Sequence, residues 1–187
     1  MMDAFSYLSV LLSIVLGLAL TQILQGYRSI LLAKGRVRHS ATVLIWSGQF
    51  VAIVAQAWWA SFALRERTHW DFFAFAVILA QMCMDYMAAA LIFPDIPPDG
   101  DIDLGEHWER HRAAFFGFVL AMLAFSILKS FALDQRLPPP ADTLFHVILA
   151  LVAILGIVIR NARAQLLIAC ASTFVLVVYV ALLFARL

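Results

Sequence analysis

Long apolar runs alternate with short polar connections from one end of the chain to the other. A hydrocarbon core about 30 Å thick is crossed by roughly 20 helical residues, at about 1.5 Å per residue. The runs over 4–25, 43–64, 72–93, 113–133, 143–159 and 164–184 meet that length. Backbone amides facing lipid are satisfied only within a helix or in a closed barrel. Barrel strands would show alternation over about ten residues, which these runs lack. The pattern therefore predicts an all-α fold: a polytopic membrane protein, a six-transmembrane-helix bundle forming a single integral domain.

The connections carry helix punctuation. Pro94, Pro97 and Pro98 end the third run, and Pro138, Pro139 and Pro140 make a stiff turn before Asp142, which is expected to cap the fifth. Asp103 and Glu106 have capping-box spacing, so the fourth helix is expected to begin near Leu104 and to lie along the interface before entering the membrane. The first run is longer than a signal-peptide core and has no basic flank before it, so it reads as a retained helix. The next connection holds Arg28, Lys34, Arg36 and Arg38. Basic connections stay cytoplasmic, which puts the N-terminus and the C-terminus both outside. Trp58, Trp59 and Trp70 cluster at the second connection, and Trp46 and Trp108 lie near cytoplasmic ends, where indoles anchor at the interface.

Composition excludes the soluble alternative. The chain is 64% apolar and 13% charged, with a mean hydropathy of +0.93, whereas a soluble domain is about half apolar and a quarter charged. The expected partner is the lipid bilayer, and the expected location a cell membrane of the bacterial inner-membrane kind. Thirteen Lys and Arg against twelve Asp and Glu leave a net charge of +1, which gives no reason to expect nucleic acid. Cys83 and Cys170 both fall inside apolar runs, which excludes a disulfide framework and reads as inert packing.

Polar groups inside the runs are the informative exceptions. On the first helix Ser9, Ser13, Gly17, Thr21 and Gln25 recur every fourth residue, a small-xxx-small ridge suited to close helix packing. On the third, Asp85 lies about 4 Å from the span centre, one turn after Gln81. An Asp at mid-helix costs about 2.5–3.5 kcal/mol on insertion, so it is expected to be neutral, paired or facing water. Gln49 and Gln56 share a face of the second helix, and antiparallel pairing of the second and third helices would set Gln49 level with Asp85 and Gln56 level with Gln81. Two readings follow: interhelical hydrogen bonds, or a protonatable or cation-coordinating site formed by Asp85 with Gln49, Gln81 and Gln22. A secondary external cluster holds Lys129 and His146, with Asp134 and Asp142 in the connection between them. Lys129 is expected to snorkel outward to either aspartate, and His146 is a candidate proton-exchanging group.

The remaining motifs are weak. The run D-G-D-I-D-L-G from Asp99 to Gly105 resembles a calcium loop, but an EF-hand counted from Asp99 needs Gly at position six and Glu at position twelve, where Leu104 and Arg110 stand. His107 and His111 are one helical turn apart in E-H-W-E-R-H, but the glutamate is misplaced for an H-E-x-x-H metal site and no third ligand stands out. There is no nucleophile elbow, phosphate loop or dinucleotide fingerprint, so neither enzyme nor cofactor is expected. The leading expectation is a channel-like or transporter-like protein that passes protons or small cations by way of Asp85. The alternative is a nonenzymatic assembly or regulatory subunit, homo-oligomeric or bound to a membrane-protein partner, docking through the first helix or the acidic loop.

Overall fold

A computed structural model describes residues 4–33, 35–67, 70–95 and 101–184. Lys34, Pro97, Pro98, Asp99 and Gly100, named above, lie outside the described residues. Among the described residues the chain is all-helical apart from two two-residue strands, and six helices are long and apolar enough to cross a membrane. They are α1 (Ala4–Leu32), α2 (Ala41–Ser61), α3 (Phe72–Ala90), α4 (Leu104–Asp134), α5 (Pro140–Val158) and α6 (Ala162–Phe184). A 3-10 turn, Phe62–Glu66, extends α2.

Local chemistry sets the ends. Asp71 caps α3 by accepting from the amide of Ala74 at 2.7 Å. Asp103 caps α4, accepting from the amides of Gly105 at 2.8 Å and Glu106 at 3.2 Å. The Glu106 side chain completes no capping box; it takes Arg110 at 2.9 Å, one turn on. Asp142 is not the cap of α5. Pro139 holds that place and Pro140 opens the helix, because proline's missing N–H costs nothing in the first turn.

The polar connections between α1 and α2 and between α3 and α4 meet at one end of the bundle. Strands β1 (Val37–Arg38) and β2 (Ile102–Asp103) pair in parallel, and Arg38 reaches Asp103 at 3.0 Å. Gly35, at φ +87°, makes the turn into β1 in a left-handed conformation open to glycine.

Above this end the helices form two groups of four that share α2 and α4. In the first group α3 packs mainly on α4 and α1, and α1 also packs on α2. In the second, α5 packs on α4 and α6, and α6 on α2. Leu12, Leu16, Ala19 and Ile23 form the buried stripe of α1, and Gly26 continues it where any Cβ would collide with the Phe93 ring. Trp46 and Trp108 are not interfacial anchors. Each is 3% exposed, stacked on the other with ring centroids 6.3 Å apart and edged by Phe115 and Phe116. Four rings clustered this way bury more area than a headgroup contact provides. Trp58 and Trp59 remain exposed.

Candidate functional site

At α-helical spacing Ile78, Met82, Asp85, Ala88 and Ala89 fall on one face of α3, and all are buried. Asp85 stands in the middle of that stripe, 1% exposed, with its carboxyl turned into the bundle and away from the lipid-facing side. Among the described residues neither carboxyl oxygen has a hydrogen-bond partner. An unpaired carboxylate in such surroundings is one of the most costly groups a protein can bury.

The glutamines expected around it are distributed differently. Gln49 is buried against α6, where its Nε2 donates to the Ala169 carbonyl at 3.1 Å and its Oε1 accepts from Ser172 Oγ at 3.0 Å. The expected Gln49–Asp85 rung is therefore absent: α2 packs against α6 far more than against α3, although α3 follows it in the chain. Gln56, on the same face as Gln49, turns to the same side of α2. Gln81 is half-buried one turn from Asp85. Gln22 Nε2 donates to Tyr86 Oη at 3.3 Å, which places an α1 amide beside the residue that follows Asp85.

Two spaces with polar side chains in their walls lie in the bundle. A cavity of about 160 Å³ lies inside the α2–α4–α5–α6 group, bounded by Gln49, Gln56, Ser126, Lys129, His146 and Ser172 among others. A cleft of about 110 Å³ lies between α1 and the end of α3, bounded by Gln22, Gln25, Ser29 and Asp95. The cavity thus joins Gln49 and Gln56 with the external cluster that sequence spacing had set apart.

Within the cavity Lys129 does not snorkel out to the connection. Its side chain is half-buried in the cavity wall and within electrostatic range of Asp85, though not in ion-pair contact with it. Asp134 is held instead by Arg67, which also donates to the Leu133 carbonyl at 2.7 Å. His146 Nδ1 donates to the Asp142 carbonyl at 2.7 Å, and Nε2 pairs with Ser126 Oγ at 3.0 Å. Asp142 thus takes part through its backbone.

The remaining candidates fall elsewhere. Ser13, Gly17, Thr21 and Gln25 are exposed and Ser9 is half-buried. The α1 ridge therefore faces away from the bundle, and a Cβ at Gly17 would meet nothing within 4 Å. His107 Nε2 donates to the Leu91 carbonyl at 3.0 Å and His111 Nδ1 to the His107 carbonyl at 3.0 Å, so each ring commits one nitrogen to backbone. Among the described residues no three potential metal ligands come together.

Sequence reading passed over a second polar centre. Arg112, 4% exposed, donates to the Gly156 and Ile157 carbonyls at 2.7 and 2.6 Å, capping the C-terminal end of α5. Gln165 donates to the Gly156 and Ile159 carbonyls at 2.9 and 2.5 Å and accepts from Trp108 Nε1 at 3.2 Å. These groups satisfy carbonyls that a helix end leaves open, and they tie α4, α5 and α6 together. The available signal was an Arg, Arg112, at the edge of the fourth apolar run and a Gln, Gln165, just inside the sixth. No family model, curated protein or solved structure matches the chain, so function is argued from these side chains alone.

Proposed function

We propose that this protein moves protons or small cations across a membrane, with Asp85 as the group that takes up and releases the transported charge. The observation that carries the reading is the Asp85 carboxyl itself: turned inward, 1% exposed and without a hydrogen-bond partner among the described residues. Intramembrane acids that serve only as glue are paired, and a structural role gives no return for leaving this one alone. Further support comes from Lys129 in its field and from the spaces toward either end of the bundle that carry polar side chains in their walls. In the conformation described, Asp85 is closed off from solvent where α3 packs on α4 and α1, as an occluded state requires. Transport then needs the Gln22–Tyr86 side and the Lys129 side to open in turn.

On this reading the basic connection is cytoplasmic and both termini face outward. The host is an energised cell membrane, such as a bacterial inner membrane, where a gradient exists to be used. The test is flux into liposomes carrying the purified protein. Wild type dissipates an imposed proton or cation gradient, and Asp85→Asn, which keeps shape and removes the ionisable oxygen, reduces the rate to that of empty vesicles. Equal flux in the two proteins removes the mechanism.

A second reading rests on the outward-facing α1 ridge. Ser13, Gly17 and Thr21 lie open beside exposed Val10, Ile14 and Leu18, the surface a second copy or another membrane helix would pack against. That would make the chain a nonenzymatic assembly subunit. A defined oligomer or heteromer in mild detergent, with no intrinsic flux, is the result that favours it.

A further inference from the structure

We infer that the cavity inside the α2–α4–α5–α6 group is a binding site for a compact organic anion, a monocarboxylate with a small apolar body, whose carboxylate pairs with Lys129. The inference goes beyond the Asp85 reading and stands without it, because it concerns equilibrium binding and not flux.

Lys129 lines the cavity, and among the described residues no Asp or Glu lines it alongside. The acid whose field it feels, Asp85, belongs to α3 and makes no ion pair with it. A half-buried cation in a largely apolar wall gains from an anion that arrives to meet it. Beside it Gln56 makes no hydrogen bond among the described residues, so its amide N–H is free for a carboxylate's second oxygen. Ser172 and His146 also line the wall, but Ser172 donates to Gln49 and His146 is held between the Asp142 carbonyl and Ser126, so they shape the site without donating to the ligand.

The rest of the wall is apolar, with Ile53, Ala57, Leu149 and Leu176 among its side chains. This combination, mostly hydrocarbon with a few converging polar groups, is the usual make-up of a small-molecule site. Size narrows the class. The cavity measures about 160 Å³, and an engineered cavity of about 150 Å³ in another protein takes up benzene. A benzoate-sized acid therefore fits, whereas a long acyl chain would have to extend out through the opening. The cavity extends to Ala60, an exposed residue at the end of α2, which gives a ligand a way in.

Radiolabelled benzoate serves as the probe, with purified protein in detergent and the nonsaturable uptake of micelles subtracted. Saturable binding is expected in wild type, and Lys129→Met is expected to weaken it about tenfold or more, the usual loss for a charge-assisted hydrogen bond. Lys129→Arg retains binding, and Ala57→Phe, which fills the cavity without touching the charge, abolishes it. Benzamide, equal in shape but uncharged, fails to compete, and decanoate competes less well than benzoate. Saturable binding that is absent from wild type, equal in Lys129→Met, or displaced as well by benzamide overturns the inference. Stronger competition by decanoate overturns the compact-ligand assignment. If Lys129→Met does not fold, Ala57→Phe and the benzamide comparison still decide the matter.

Discussion

Replacing Asp85 with leucine should make this protein more stable and inactive. The two side chains have the same number and branching of heavy atoms, so the substitution exchanges two carboxyl oxygens for two methyl groups at nearly constant shape. Insertion scales charge Asp at mid-helix about 2.5–3.5 kcal/mol and credit Leu with about 0.3–0.6 kcal/mol, which sets a ceiling of about 3–4 kcal/mol. No hydrogen bond offsets this, since among the described residues neither oxygen has a partner. Methyl groups are bulkier than oxygens, and Asp85 is 1% exposed on a helix packed against α4 and α1; crowding in such a site typically costs about 1–3 kcal/mol. The expected net gain is therefore about 1–2 kcal/mol, read as a higher midpoint for unfolding in detergent–lipid mixtures. Higher stability with lost flux is the signature of a residue kept for function at a cost to the fold. A loss of about 1 kcal/mol or more in Asp85→Leu would refute the reasoning, because it would mean the carboxyl holds helices together.

Further substitutions test the framework around that site. Arg112→Met should destabilise by about 2–4 kcal/mol, since the Gly156 and Ile157 carbonyls lose a buried donor, and equilibrium unfolding checks it. Gly26→Ala and Gly156→Ala should each cost about 1–3 kcal/mol, because the added Cβ would meet the Phe93 or Phe116 ring; the same unfolding assay serves. Gly17→Leu, on the open face of α1, should leave stability within about 0.5 kcal/mol, and loss of a detergent-stable oligomer on that substitution would favour the assembly reading.

The spans could be read from sequence because hydropathy alone decides which segments leave water, and the α4 start could be read from Asp103 because a cap is local chemistry. That Asp85 turns inward also follows from a cost borne by a single side chain. Partnership between helices is another matter. Gln49 was set against Asp85 on the assumption that consecutive helices pair, yet α2 turns its glutamines to α6 and α3 turns to α4. Nothing in the spacing of a helix states which neighbour its face will meet. Lys129 misled for a related reason: snorkelling outward was the cheaper choice only while Asp134 was free, and Arg67 holds it. Trp46 and Trp108 looked like interfacial anchors from depth alone, whereas the aromatic partners that bury them come from two different helices.

The account depends on Asp85 exchanging with water despite its burial. Infrared spectroscopy of the protein in bilayers measures this directly, with the Asp85 carboxyl band identified by its absence in Asp85→Asn. After transfer to deuterated buffer the band is expected to shift on the timescale of flux. A band that stays unshifted while the protein remains folded and gradients still collapse would contradict the account.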